Sequence, residues 1–335
     1  MDVLSDLLHR AHATDALVRQ LVQRPPWSMT FADPPPLTMV ATLGGHASLR
    51  LDGATPVHLG AGDIALVKAT GHTIADDPAT PPQVVIRGAK KYPVGGGAAG
   101  EVTPRAPRTY GDGEPGATTM LRGAYELHGV VAGRLLDMLP PLAVVPAGPR
   151  TRGALELLAA EVARDEPGQD AVLRRLLDLV LVLALRAWCA RPGAALPAWY
   201  RALADAGIGE ALRLMHAEPA HRWTVAELAA RAGLSRAAFA ARFTSLVGEP
   251  PLTYLTGWRM TLAADLLRDS PPRTSGVRAA KPPARGEAPA DRVTVAAVAR
   301  AVGYEDPFAF SVAFKRVHGA SPSDWRRGEE NVTPR

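Results

Sequence analysis

Cysteine is nearly absent: Cys189 is the only one in 335 residues. That excludes an intrachain disulfide, a two-cysteine redox switch and any zinc site built from paired thiolates. Aromatic residues are also scarce, at 5% of the chain, so a large ring at a periodic position carries information. Long apolar runs are missing. The longest, "LLDLVLVLAL" (Leu176–Leu185), contains Asp178, lies beside Arg174, Arg175 and Arg186, and falls short of the roughly 20 residues that a membrane helix needs. The opening "MDVLSDLLHRAHATDALVRQLV" mixes acids and histidines with its apolar residues. It has no export-signal pattern and reads as a short amphipathic helix. Histidine pairs of the kind a metalloenzyme uses are missing too. His46, His58 and His72 stand apart, with no His-x-His and following Glu on one strand, the pattern that would hold a metal with open positions. These absences point to a cytoplasmic protein with no metal, no cofactor and no membrane partner, and to something other than an enzyme.

What is present is unevenly placed. Residues 221–335 hold 17 Lys/Arg against 11 Asp/Glu; the whole chain holds 38 against 33, which leaves 21 against 22 for residues 1–220. The basic excess therefore sits in the C-terminal third, and a basic domain beside a neutral one suggests a polyanionic partner.

That third contains a repeat. "TVAELAARAGLSRAAFAARFTSLVGEPPLTYL" (Thr224–Leu255) aligns with "TVAAVARAVGYEDPFAFSVAFKRVHGASPSDW" (Thr294–Trp325) with one extra residue in the second copy. Thr224 matches Thr294, Gly233 matches Gly303, Phe239 and Phe243 match Phe310 and Phe314, and Tyr254 matches Trp325. Each copy reads as helix, tight turn, helix. Thr224 with Glu227 has the spacing of a capping box, Gly233 supplies the turn, and Ser235 caps the second helix. In the second copy Asp306 is the cap and Pro307 takes the first helical position. The paired Phe rings, four residues apart, lie on one helical face. This is the layout of a helix-turn-helix, whose second helix enters the major groove. Between the copies, "PLTYLTGWRMTLAADLLRD" (Pro251–Asp269) reads as one helix, with Leu255, Trp258, Leu262, Leu266 and Leu267 on its apolar side.

With those motifs in view, Thr224–Arg327 resembles the C-terminal domain of the AraC/XylS family of bacterial transcription regulators. "GEPPLTYLTGWRMTLAADLLR" is similar to that family's linker helix, and "VGYEDPFAFSVAFKRVHGASPSDWR" to its second helix-turn-helix signature. The resemblance implies double-stranded promoter DNA as the partner, RNA polymerase as a further candidate, and control by a small-molecule effector. The family bridges the central helix and the second motif with a few residues, whereas this chain inserts "SPPRTSGVRAAKPPARGEAPADR" at 270–292. Its composition is that of a flexible loop. A basic arm is the alternative, through Arg273, Arg278, Lys281, Arg285 and Arg292.

The candidate DNA contacts divide by role. Arg236, Arg242, Lys315 and Arg316 are the cations of the two recognition helices, and Arg259 could add a backbone contact, as could Arg326 and Arg327. Base readout falls to the exposed faces beside the Phe pairs: Ala237, Ala240 and Ala241 in the first copy, and Phe308, Ala309, Ser311 and Val312 in the second. Family members often carry Arg or another polar residue at the positions of Ala241 and Val312. Small apolar groups there cannot make the bidentate guanine contact, worth about 1–3 kcal/mol, but can pack on thymine methyls.

In the N-terminal half, "LTMVATL", "ASLRL", "VHLG", "DIALVKA", "QVVIRG" and "ATTMLRGAYEL" read as short strands between glycine-marked turns, a β-barrel or sandwich pattern. "LGAGDIALVKATGHTIADD" resembles the turn and strand of a cupin. "TTMLRGAYELHGVVAGRLLDMLPPLAVVP" looks like the sensor domain of one AraC-type subgroup, some members of which have Cys at the position of Arg122. Lys68 and His72 are the candidate effector-pocket residues. The helix over Pro167–Gly193 is apolar on most sides, so it must be covered, either by its own barrel or by the same helix of a second chain. The resemblance favours a homodimer contact there, through Leu177, Val180, Leu181 and Ala184.

The expected fold is α+β: a cupin-like β-barrel plus helical dimerisation segment (1–190), a linker and leading helix (191–220), and an all-α domain with two helix-turn-helix motifs joined by a central helix (221–328). The expected function is a sequence-specific DNA-binding transcription regulator. An architectural DNA binder with weak specificity and a cupin enzyme are the alternatives.

Overall fold

Successive side chains of Thr118–Tyr125 go to opposite faces: Met120 enters the hydrophobic core, while Gly123 and Tyr125 meet Leu177 of a covering helix. That period of two is what turns this stretch into a sheet element rather than a helix. In a computed structural model, which describes residues 3–328 apart from 12–16, 89, 97, 99, 102, 112–116 and 269–293, the chain forms two units, both discontinuous in sequence. One comprises residues 12–128 and 136–196, the other residues 1–11, 129–135 and 197–335. The 270–292 insertion lies outside the described residues.

In chain order the elements are α1 (Val3–Arg10), β1 (Leu17–Gln23), β2 (Ser28–Phe31), β3 (Leu37–Gly44), β4 (Ala47–Leu51), β5 (Val57–Leu59), β6 (Ile64–Lys68) and β7 (His72–Ala75). Then come β8 (Val84–Arg87), β9 (Lys90–Pro93), β10 (Gly100–Glu101), β11 (Thr109–Gly111), β12 (Thr118–Tyr125), α2 (Gly129–Leu136), β13 (Leu142–Val145), α3 (Pro149–Val162) and α4 (Gln169–Cys189). The C-terminal part is helical: α5 (Ala198–Ala202), α6 (Ala206–Ala217), α7 (Val225–Arg231), α8 (Arg236–Val247), α9 (Pro251–Arg268), α10 (Val295–Ala301), α11 (Pro307–His318) and α12 (Pro322–Arg327).

The β-rich unit has two sheets, in the orders β11-β1-β12-β3-β6-β13 and β10-β9-β8-β2-β7-β4-β5. Their inner faces share a core of Trp27, Met29, Phe31, Leu49, Ile74 and Met120. Helices α3 and α4 pack on the first sheet. Gly123 lets Leu177 of α4 approach closely, and the buried Tyr125 hydroxyl donates to the Leu177 carbonyl at 3.0 Å. The opening segment departs from its expected single helix. Only residues 3–10 are helical, and residues 17–23 form β1, paired antiparallel with β12 and parallel with β11.

The helical unit begins earlier than the composition of 191–220 indicated. Helices α5 and α6 are part of its core, with Ile208, Leu212 and Met215 packed among Leu228, Phe239, Phe243 and Tyr254. Of the expected linker and leading helix at 191–220, residues 198–217 belong to the domain they were expected to lead into. Two more pieces of the N-terminal sequence join this unit. Helix α1 packs on α6, with Asp6 3.8 Å from the Nδ1 of buried His216. His216 stacks on Trp258 and shares a 2.8 Å hydrogen bond with the Tyr254 hydroxyl. The carboxylate of Asp265 on α9 accepts from the backbone N–H groups of Val130 and Val131, capping α2. Gly129 has φ +90°, and a Cβ there would meet that carboxylate, so both the turn and the cap require glycine.

Candidate nucleic-acid interface and sensor cavity

Each helix-turn-helix is fixed by local chemistry. Thr224 Oγ1 accepts from the Glu227 N–H, and Thr294 Oγ1 from the Ala297 N–H, starting α7 and α10. The Glu227 carboxylate meets His221 Nε2 at 3.0 Å. Ser235 caps α8 and the Asp306 carboxylate caps α11, accepting from Phe308 and Ala309. Gly233 and Gly303 make the turns with φ +69° and +85°. Behind the second helices, Phe239 with Phe243 and Phe310 with Phe314 are fully buried at matching ring distances of 5.7 Å. Trp325 closes the second motif by donating to the Ala264 carbonyl of α9 at 3.1 Å. Leu266, expected on the apolar side of α9, is instead exposed.

The opposite faces carry the candidate contacts. Arg236, Ala237 and Ala241 are exposed on α8, and Phe308, Ala309, Val312, Lys315 and Arg316 on α11. Phe308 is 76% and Val312 55% exposed, an apolar surface that no element among the described residues covers. Ala240 and Ser311 are half-buried, and the Ser311 hydroxyl donates to the Pro307 carbonyl within its own helix.

Two cations expected at the interface are engaged elsewhere. The Arg242 guanidinium donates through Nε and Nη2 to Asp205, at 2.9 and 2.5 Å. Asp205 also caps α6, so this pair ties the recognition helix to the core. Backbone donors on α6 and the guanidinium beside it hold the Asp205 carboxyl below its ordinary value. Arg259 donates to the carbonyls of Pro219 and His221 and lies 5.8 Å from the Tyr304 ring. It brackets the two motifs from behind, and its guanidinium is directed at protein backbone rather than outward. Arg327 pairs with Asp324 on α12.

In the β-rich unit, a cavity of about 470 Å³ opens between the sheets. Its polar lining includes Arg19, Gln23, Lys91 and Arg122. Lys68 and His72 are not among the lining residues. Lys68 donates to the Leu136 carbonyl at 3.3 Å. His72 is buried behind Phe31, its ring stacked at 5.2 Å and its Nδ1 3.0 Å from the Thr70 carbonyl. Burial pushes the His72 pKa down to about 4, with the Arg122 charge adding to the shift. Arg122 lies over the same ring, 4.5 Å from its centroid, and burial and then Arg19 push its pKa down to about 10. Neither Arg19 nor Gln23 was expected at a site, since the stretch through Val22 that includes Arg19 reads as a helix.

The expected dimer face is corrected. Leu177, Val180, Leu181 and Ala184 are all fully buried within their own unit, where α4 covers its own sheet and α3. The face left open on α4 carries Val172 and Leu179, with half-buried Leu176 and Leu183 between and after them, and Leu157 of α3 is exposed as well.

Two helix-turn-helix motifs on one central helix, with cations and an apolar pair displayed opposite buried Phe pairs, define a DNA-binding regulator. The family profile described as "Bacterial regulatory helix-turn-helix proteins, AraC family" matches residues 287–327, and the profile described as "Cupin" matches residues 2–190. The chain is 33% identical to a "Putative AraC-like transcription regulator" of Streptomyces antibioticus over 98% of its length and 99% of the relative's. It is 32% identical to one of Streptomyces lividans, with 98% of each covered. The "HTH-type transcriptional regulator AlkR" of Acinetobacter baylyi is 31% identical over 62% of each chain. The chain belongs to the AraC family of transcription regulators, with a cupin domain before its DNA-binding domain. That membership removes the enzyme alternative, since these relatives are transcription regulators. Among the described residues, no helix is long and apolar enough to cross a membrane.

Proposed function

We propose that this regulator binds its promoter sequence-specifically as a homodimer, and that a small molecule held by the cupin domain controls that binding. The observation that carries the DNA reading is the exposed face of α11, where Phe308 and Val312 stand with Lys315 and Arg316 one and two turns along the helix. Lys315 and Arg316 neutralise phosphates, and Phe308 and Val312 pack on thymine methyls, with Ala237 and Ala241 of α8 doing the same in the neighbouring half of the site. Readout is then tolerant of A·T steps, and phosphate contacts carry much of the affinity. Arg242 and Arg259 act from within the domain by holding the recognition helices in place. The exposed stripe of α4 is the dimer contact. Control is a coupling free energy: an effector that binds one arrangement better than another shifts the equilibrium between them. RNA polymerase is the partner that such a regulator recruits or blocks, and the cytoplasm is where it meets the chromosome.

Fluorescence anisotropy with the chain's own upstream DNA and a scrambled duplex, across a salt series, tests this. Specific binding about 10³-fold or more tighter than nonspecific is the expected result. Lys315→Ala and Arg316→Ala should each weaken binding to all sequences and reduce the salt slope by about one. Equal affinities and equal slopes for both duplexes would favour the architectural reading.

A further inference from the structure

The cavity in the β-rich unit has an unusual charge arrangement. Arg19 on β1 and Arg122 on β12 are register partners, directly opposite across an antiparallel pair. Like charges at such positions are destabilising, and no acidic residue is among the described lining residues. Aromatic faces take the place of carboxylates: Arg122 lies over Phe31, and Arg19 lies 5.3 Å from the Tyr110 centroid. Those contacts leave hydrogen-bonding capacity unfilled, since the Arg122 Nε is buried and has no partner among the described residues. A guanidinium in this state is costly unless something arrives to accept its hydrogen bonds. Around the arginines, Leu21, Met29, Phe31 and Ile86 make the wall apolar. The volume falls within the usual range for small-molecule sites, about 300–1,000 Å³.

We propose that this cavity binds a small amphipathic anion, a carboxylate on an apolar body, with Arg122 and Arg19 holding the carboxylate. The planar fork of a guanidinium matches a carboxylate in two parallel hydrogen bonds. The apolar wall selects against a small hydrophilic anion, which would leave it uncovered. Gly111 sets one side of the site: at φ +109°, a Cβ would collide with the Val22 carbonyl, so only glycine lets β11 close against β1 and bring Tyr110 over Arg19. Lys91 adds a third positive charge to the lining. The proposal rests on the reading that the cupin domain takes an effector, and it specifies the chemistry of that effector.

The test is calorimetric titration of the full chain with octanoate and 1-naphthoate, their neutral amides, and inorganic phosphate. At least one carboxylate should bind with one-to-one stoichiometry, its amide and phosphate at least about tenfold more weakly. Arg122→Gln and Arg19→Gln should each weaken carboxylate binding by a similar factor, with circular dichroism confirming that they fold. Should Arg122→Gln fail to fold, Arg122→Lys keeps the charge, loses the fork and is expected to bind more weakly than the parent. Amides or phosphate binding as tightly as the carboxylates would overturn the proposal, as would affinity unchanged in the arginine variants or no binding by either carboxylate. Promoter binding is measured in parallel. If it persists without carboxylate binding, the proposal fails and the regulator reading stands. Carboxylate binding without promoter preference keeps the anion site and removes the functional reading.

Discussion

Arg122 and His72 both lie against the Phe31 ring and make opposite demands on the fold. His72 is buried as the neutral imidazole, with a pKa of about 4 in the fold and about 6.5 when unfolded. A histidine with a depressed folded pKa contributes fully above pH 6.5, and its contribution is lost as pH falls from there toward 4. Thermal unfolding of the chain should therefore show stability falling across that window, with a slope contribution approaching about 1.4 kcal/mol per pH unit. His72→Gln should flatten the slope; an unchanged slope would place the titrating group elsewhere. Arg122 is a charge retained in an apolar wall. Arg122→Met should raise the unfolding midpoint by about 2–4 °C, the equivalent of about 1 kcal/mol in a domain of this size, while abolishing carboxylate binding. A lower midpoint would mean that the arginine stabilises the wall. The signal for Arg122 was present in the sequence: it shares strand parity with Met120, whose side chain is in the core. Only the pairing with Arg19, across about a hundred residues of chain, reveals what the inward arginine faces, and no local pattern records that.

At the scale of elements, the two helix-turn-helix motifs look equivalent in sequence and differ in space. Both turn glycines have positive φ, so alanine at either is strained by about 1–2 kcal/mol. A Cβ on Gly233 meets nothing within 4 Å, whereas on Gly303 it would lie 2.5 Å from the Ala220 carbonyl. Gly233→Ala should cost the conformational strain alone, and Gly303→Ala distinctly more, measured by chemical denaturation. Equal losses would show that the Gly303 turn relaxes freely. Asp306→Ala removes the cap of α11 and should cost about 1 kcal/mol. These motifs were legible because caps, turn glycines and Phe pairs lie within a few residues of one another. Strand β1 was not. Its "LVRQLVQ" fits both a period of two and a continuation of the preceding amphipathic helix. What decides is pairing with β11 and β12, some ninety to one hundred residues away. Arg242 on a recognition helix and Arg259 on the central helix show the same limit: each reads as a DNA contact until Asp205, or the Pro219 and His221 carbonyls, are seen beside it.

For the molecule as a whole, α4 sets the assembly question. A helix apolar on most sides needs two covers, and its own unit supplies one, over Leu177, Val180, Leu181 and Ala184. The sequence reading found the need for cover but gave the deeper stripe to a second chain, because helical period alone does not say which stripe the sheet takes. The second stripe runs Val172, Leu176, Leu179, Leu183, a spacing of four, three and four that keeps one face of a helix. Leu179 is 44% exposed, so replacing it disturbs little within the chain. A carboxylate at the centre of a dimer contact, by contrast, loses its water without gaining a partner. Leu179→Glu should thus leave circular dichroism and the unfolding midpoint close to the parent, while analytical ultracentrifugation reports a monomer where the parent sediments as a dimer. Promoter affinity should fall with it, because in the proposed homodimer one chain engages only its own portion of the site. Leu177→Glu is the control: it buries a charge against its own sheet and should unfold the β-rich unit outright. A Leu179→Glu protein that still sediments as a dimer would move the contact off this stripe, leaving the apolar surface of α3 and α4 to some other cover.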